Sequence, residues 1–252
     1  MKYEGDRETD PRHTGTSIFD PVLCELVYRW FCIPGGRILD PFAGGSVRGI
    51  VATKLGYEYV GIDLSSRQIK ANREQANNIC DEIVPTWVVG DAREIKKKAK
   101  GEYDLIFSCP PYHDLEVYSE DKKDISTLSY EDFIKAYRQI IKSCVSMLKE
   151  DRFACFVVGE IRDKKGFYKG LVPDTIRAFE NAGARYYNEA ILVTAVGSLP
   201  IRIGRQFIAG RKIGKTHQNV LVFFKGDPKN IKGLFPHTIE YGELEPAAGP
   251  DV

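Results

Sequence analysis

Short apolar runs alternate along this chain with amphipathic helical periods, and that alternation restricts the folds open to it. Residues 37–40, 57–62, 86–89, 103–107, 152–159, 185–196 and 220–224 read as seven strands. Four of them run into breakers or acids: Asp40-Pro41, Asp63, Gly90-Asp91 and Cys109-Pro110. Between them lie helical signals. Asp20-Pro21 pairs an N-cap with a proline suited to a first turn, ahead of an apolar stripe of Val22, Leu23, Leu26, Val27 and Trp30. Gly44-Gly45-Ser46 leads into a helix that Gly56 ends, and Ser65 to Gln68 form a capping box. Ser129 caps the cleanest helical period, with apolar residues at 130, 133, 134, 137, 140, 141, 144, 145 and 148. A further helix spans 173–182 and stops at Gly183. Strands alternating with helices predict an α/β fold with a parallel, doubly wound sheet covered on both faces. No helix is read between the sixth and seventh strands, so the last strand is expected to insert antiparallel.

The chain has 252 residues, 43% of them hydrophobic, which is enough for a substantial core. A single domain over 1–252 is expected, with a basic loop insert at 197–217 and a loose C-terminal arm at 227–252. No run approaches a membrane span and the polar start lacks a signal-peptide core, so a cytoplasmic protein is expected. Six cysteines without CxxC spacing and four scattered histidines argue against a metal site or a disulfide framework. With a net charge of +1, any nucleic-acid binding must come from local clustering.

Ligands of open α/β sheets sit outside the carboxyl ends of the strands. Four loops leave such ends here. They are Asp40-Pro41-Phe42-Ala43-Gly44-Gly45-Ser46, Asp63-Leu64-Ser65, Gly90-Asp91-Ala92 and Ser108-Cys109-Pro110-Pro111-Tyr112. Glycines 44 and 45 allow close backbone approach. Asp63 is placed for ribose hydroxyls and Asp91 for an adenine amino group. The loops alone fit either a nicotinamide cofactor or S-adenosylmethionine. The dinucleotide glycine pattern, however, is unmatched at its middle position by Gly44, Ser46 and Gly49. The Asp40 carboxylate, moreover, would repel a pyrophosphate and attract a sulfonium.

The fourth loop carries the chemistry. Two prolines fix two φ angles and remove two N–H donors, leaving the carbonyls of Cys109 and Pro110 free to face a ligand. Tyr112 adds a flat ring beside them. Nucleobase-modifying enzymes hold an extruded base by stacking and edge hydrogen bonds of this kind. Acceptors aimed at both N–H bonds of a base amine favour a pyramidal nitrogen whose lone pair faces a methyl donor. Cys109 also suggests another chemistry, thiolate attack on pyrimidine C6, but the enzymes that do this place a proline before the cysteine.

These motifs resemble the S-adenosylmethionine-dependent DNA amino-methyltransferases, which modify N6 of adenine or N4 of cytosine. Their glycine loop reads Asp-Pro-Phe-x-Gly-x-Gly, and their catalytic loop reads Asp, Asn or Ser, then Pro-Pro and an aromatic. Thr16-Ser17-Ile18-Phe19-Asp20-Pro21 is similar to the family element that holds the cofactor's methionine end. The wording of both loops most resembles stand-alone methylases of phages and prophages, some of restriction–modification type. The resemblance covers most of residues 14–225. It implies a Rossmann-like class I methyltransferase fold, S-adenosylmethionine as cofactor, double-stranded DNA as partner and no metal. Thr16, Ser17 and Phe19 are carried over as cofactor residues. Two departures stand out. Ser46 replaces the last glycine, which a negative φ would tolerate. Cys109 replaces the polar acceptor, leaving the work to main-chain carbonyls or to the Ser108 hydroxyl. Cysteine is closest in size to serine, the form commoner among N4-cytosine enzymes, so cytosine N4 is placed ahead of adenine N6. Methylation of RNA or of a protein amide, and binding without catalysis, are the competing expectations.

No acidic residue occurs from 190 to 226, whereas Arg202, Arg205, Arg211, Lys212 and Lys215 are basic. A flexible basic loop there suits phosphate contacts, which Arg162, Lys164, Lys165 and Lys169 would extend. The run 209–216 mimics a P-loop, but a P-loop must open a helix and strand-like residues follow. The polar segment from His113 to Ser126 is long enough to close over a flipped base.

Overall fold

The computed structural model describes residues 18–81, 83–113, 123–193 and 199–235. In chain order the elements are α1 (Pro21–Phe31), β1 (Arg37–Asp40), α2 (Val47–Lys54), β2 (Glu58–Asp63), α3 (Ser66–Ile79), β3 (Thr86–Val89), α4 (Ile95–Lys98) and β4 (Tyr103–Ser108). There follow α5 (Tyr130–Val145), β5 (Leu148–Val158), α6 (Leu171–Asn181), β6 (Arg185–Val193), α7 (Leu199–Gly210), β7 (His217–Lys225) and α8 (Ile231–Leu234). The seven strands form one sheet in the order β3-β2-β1-β4-β5-β7-β6. The first five pair in parallel, and β7 enters antiparallel between β5 and β6.

Alternation along each strand builds two cores. Leu39, Ile106 and Phe156 face α5 and α6, whereas Ile38, Leu105 and Cys155 face α1, α2 and α3. Both faces of the central strands are therefore covered, and β4 is buried along its whole length. The heptad-like run of α5 buries Phe133, Tyr137, Ile140, Ile141 and Cys144, as its period requires. Gly49 lets α2 pack close against the sheet: a Cβ there would lie 2.7 Å from the Trp87 ring.

Several expectations change on folding. The face that α1 buries is Cys24, Val27 and Tyr28, while Val22 and Trp30 are exposed. Tyr28 packs edge-on against Phe107 and gives its hydroxyl to the Arg48 carbonyl, which turns the helix away from the stripe read from hydropathy. A helix, α7, does lie between β6 and β7 and occupies much of the expected 197–217 loop. Strand β5 begins at Leu148 and β7 at His217, both earlier than their apolar runs, because Leu148 pairs in parallel with Tyr103 of β4 and His217 pairs with Val193 of β6. The arm after Gly226 is not loose at its start. Asp151 accepts from Asp227 N–H and Asn230 Nδ2, and Phe235 packs 5.3 Å from Phe153. The rest of that arm lies outside the described residues.

Candidate active site

The strand order reverses between β1 and β4, the position where open α/β sheets bind their ligands. One hydroxyl ties the two loops that leave these strands. Ser108 Oγ donates to Asp40 Oδ1 at 2.5 Å and accepts the Phe42 N–H at 3.2 Å. The glycine loop and the diproline corner are thereby held against each other across 66 residues of sequence.

The glycine loop is clamped from beneath. Arg48 projects from the first turn of α2 into the protein, where its Nε meets Asp40 Oδ2 at 2.6 Å. Its NH2 donates to the carbonyls of Phe42, at 2.6 Å, and Ala43, at 2.9 Å. Phe19 covers the guanidinium at 4.6 Å, and the Tyr59 hydroxyl gives Asp40 a further bond of 2.7 Å. The Asp40 carboxylate is fully buried among these donors. It therefore organises the loop from inside rather than drawing a cation into the cleft, which corrects the electrostatic part read from sequence. Ser108 is also fully buried and committed to Asp40, so its hydroxyl is not an acceptor for a substrate amine.

From the other side α3 holds the same loop. Asn72 Nδ2 donates to the Gly44 carbonyl at 2.8 Å, and Ser46 Oγ donates to Gln75 Oε1 at 2.5 Å. Gly44 has φ +52°, a left-handed conformation that favours glycine. Ser46 has φ −75°, so the missing third glycine leaves no strain. Beside Gly44 and Gly45 nothing lies within 4 Å of an added Cβ, so the loop borders open space. Asp63 closes this side: its carboxylate accepts Gly44 N–H at 2.9 Å and Ser65 N–H at 2.8 Å. Burial pushes the Asp63 pKa up, against the lowering effect of those two bonds. Asp63 takes the Ser65 N–H that a full capping box would give to Gln68, which instead bonds Asn72. Leu64 is half-buried behind it and Ala92 is buried after β3.

Asp91 has a different setting from the one expected. Arg93 folds back on it, with Nε and NH2 within 2.7–3.0 Å of both carboxylate oxygens. Burial would raise its pKa, but the Arg93 hydrogen bonds prevail and lower it.

At the diproline corner, Pro110 is buried while Cys109, Pro111 and Tyr112 are half-exposed. The Tyr112 ring lies 3.9 Å from where a Cβ on Gly159 would be, an ordinary contact distance, so the ring is seated on the residue that follows β5. Gln218, on β7, donates Nε2 to the Tyr112 hydroxyl at 2.5 Å, and Cys109 Sγ is 3.8 Å from that hydroxyl. The next residue, His113, is buried: Nε2 donates to the Leu128 carbonyl and Nδ1 accepts from Lys169 Nζ, each at 2.9 Å. Sequence reading missed Arg48, Asn72, Gln218 and Gly159. Arg48 acts within its own loop, whereas Asn72, Gln218 and Gly159 meet their partners across 28, 106 and 47 residues of sequence.

The basic region has moved in character. Arg205 lies exposed on α7, and Arg211 stacks on Phe207 at 5.1 Å just after it. Lys212 lies against Gly166. Burial lowers the Lys215 pKa, with Glu160 and Glu189 near enough to pull it back, so this lysine already has acidic company. Thr16, Ser17, the Arg202 side chain and most of the segment after His113 lie outside the described residues. Among the described residues no group of three or more His, Cys, Asp or Glu is arranged to hold a metal ion, and no helix is long and apolar enough to cross a membrane. The P-loop mimic runs into strand β7, not into a helix.

No family model matches the chain. It is 30% identical over 131 residues to the tRNA (guanine(10)-N2)-dimethyltransferase of Methanothermobacter thermautotrophicus, a match that takes in 51% of this chain and 34% of that protein. In architecture it is similar to TrmN from Thermus thermophilus, with a TM-score of 0.56 at 18% identity, covering 85% of this chain and 52% of that one. A methyltransferase from Pyrococcus furiosus matches with a TM-score of 0.55 at 15% identity, covering 85% of this chain and 87% of that one. At these identities the structural likeness is one of architecture, and the chain has the Rossmann-like class I methyltransferase fold.

Proposed function

We propose that this protein transfers a methyl group from S-adenosylmethionine to the exocyclic amino nitrogen of an unstacked base in double-stranded DNA. The observation that carries this reading is the Asp40–Ser108–Phe42 tie, which sets a glycine loop bordering open space directly against the diproline corner. The residues suit the cofactor: Gly44 and Gly45 for close backbone contact, and Asp63, whose two oxygens retain lone pairs beyond the backbone bonds they accept, for ribose hydroxyls. When bound, the sulfonium supplies an electrophilic methyl carbon. The carbonyls of Cys109 and Pro110 accept the two amine N–H bonds and turn the nitrogen lone pair toward that carbon. With the cofactor bound, transfer would release it as the neutral thioether, and the amine would give up one proton to solvent in exchange for the methyl group. Tyr112, seated on Gly159, holds the base plane.

A second reading is favoured by one observation. The relative from Methanothermobacter is named for an exocyclic amine too, the N2 of guanine, but in tRNA. Incubating the protein with labelled cofactor and either duplex DNA or total RNA, then identifying the nucleoside by mass spectrometry, separates the two. N4-methylcytosine or N6-methyladenine from DNA is the expected product; label in RNA alone would overturn the DNA assignment. 5-Methylcytosine would overturn amine transfer itself. In the same assay Cys109→Ser should match or exceed the parent, whereas complete loss would mark an essential thiol.

Asp63 gives a cofactor-binding test. Asp63→Ala should weaken S-adenosylmethionine binding about 10- to 100-fold by calorimetry, the worth of hydrogen bonds to a charged acceptor. The sign with pH follows from its raised pKa. The ionised acceptor is lost on acidification sooner than for an ordinary carboxylate, so affinity should fall as pH drops toward the acid range. In the folded protein the same shift favours the protonated form, so this group's contribution to stability declines as pH rises above the usual carboxylate value. Unchanged affinity in the variant would mean that Asp63 serves only the backbone.

A further inference from the structure

Between β5 and α6 the chain forms a small hairpin that the methyl-transfer chemistry does not use. Arg162 and Tyr168 pair antiparallel, and Asp163 to Gly166 make the turn. The Asp163 N–H donates to the Phe167 carbonyl at 2.8 Å, its carboxylate accepts the Phe167 N–H at 2.9 Å, and Lys169 N–H closes on the Ile161 carbonyl at 2.9 Å. Its backbone is tied by these bonds, yet the hairpin buries little of its aromatic surface: Phe167 is 71% exposed and Tyr168 50%. Arg162 stacks on the Tyr168 ring at 3.9 Å, and Lys164 and Lys165 stand exposed at the tip.

Both feet of the hairpin rest on the base-holding loop. At its start Gly159 seats the Tyr112 ring; at its end Lys169 Nζ donates to His113 Nδ1. Its flank meets Lys212 from the segment after α7, beyond which Ile213 is 77% exposed. The one acid within 161–169, Asp163, spends its carboxylate on the turn. In a protein of net charge +1, this hairpin therefore concentrates cations and the exposed Phe167 ring beside the loop that carries Tyr112 and His113. Alternating cations and aromatic plates suit a polyanion with stackable bases.

We propose that the 161–169 hairpin is a duplex-DNA wedge: Phe167 enters the stack beside the base that Tyr112 receives, while Lys164 and Lys165 hold the flanking phosphates. The proposal rests on the amine-methylation reading above. It answers a physical need of that reading, because extruding a paired base leaves a gap, and proteins that unstack DNA fill such gaps with apolar side chains. In single-stranded DNA no such gap forms, and this difference makes the role testable.

The probe is mixed-sequence duplex DNA, and the same DNA after heat denaturation, with labelled S-adenosylmethionine. Phe167→Ala should lower initial methylation about 10-fold or more on the duplex and less than about 3-fold on denatured DNA, the unstacking term being specific to the duplex. Equal loss on both forms, or no loss on either, overturns the wedge. The double variant Lys164→Gln/Lys165→Gln should make the slope of log K against log salt shallower by about 2, one phosphate contact per lysine. An unchanged slope removes the lysines from the interface. Failure of the underlying reading looks different: the wild-type protein would methylate neither form of DNA, before any variant is made. An unchanged thermal midpoint for both variants is expected, since the altered side chains are exposed.

Discussion

Replacing Arg48 by methionine should destabilise the protein by about 3–5 kcal/mol, the usual consequence of leaving a buried charge without its partner. Asp40 has no exposed surface, and the Arg48 side chain is only 6% exposed. In the variant the Asp40 carboxylate would keep the Tyr59 and Ser108 hydroxyls and the Phe42 N–H but lose its counter-ion. The carbonyls of Phe42 and Ala43 would lose their shared donor as well. Urea midpoints at constant m-value measure the loss. The double variant Asp40→Leu/Arg48→Met should recover part of it, because an apolar pair removes the uncompensated charge. Recovery would be partial, since Leu cannot accept from Ser108, and the tie between the two loops would be broken. A loss below about 1 kcal/mol for Arg48→Met would mean that the pair is solvated in solution, as exposed pairs are.

Tyr112→Ala should lower kcat/KM for duplex DNA by about 10- to 100-fold, the range that base–aromatic stacking contributes. Tyr112→Phe should lose far less. It keeps the ring on Gly159 and gives up only the hydroxyl that Gln218 holds. Cofactor affinity should be unchanged in both, because the glycine loop is held by Arg48, Asn72 and Asp63 and not by the tyrosine. Initial rates of label transfer with saturating cofactor read the first effect and calorimetry the second. Equal rates for Tyr112→Ala and the parent would remove the ring from base recognition. Loss of cofactor binding instead would mean that Tyr112 supports the whole pocket.

Much of the fold was legible without coordinates. The helix of 130–145 could be read from its period, and the helix starts at Asp20, Ser65 and Ser129 from cap chemistry, because both are local properties. Errors cluster where a residue's role is decided by a distant partner. The 197–217 segment reads as a loop because glycines punctuate it, yet Gly204 and Gly210 lie in or at the end of α7. Likewise Val22 and Trp30 belong to the hydropathic stripe of α1, but the Tyr28–Phe107 and Tyr28–Arg48 contacts decide which face turns inward. In the candidate site, the loops were legible and the direction of their side chains was not. Asp40, Asp63 and Asp91 follow three successive strands and look equivalent in sequence. Arg48 captures the first, two backbone N–H groups the second and Arg93 the third.

The order of apolar runs, breakers and caps by itself determined a doubly wound sheet, four loops at its carboxyl edge and the diproline corner among them. Periodicity and turn geometry act over a few residues, so a linear string carries them in full. Only the tertiary structure decided that Asp40 and Ser108 are internal fastenings, that Gly159 and Gln218 pack against Tyr112, and that the hairpin carrying Phe167 and Tyr168 rests its feet on Tyr112 and His113. Those assignments depend on which groups meet across 66 or 106 residues of sequence, and burial and pairing, not local pattern, settle what a polar side chain is free to do.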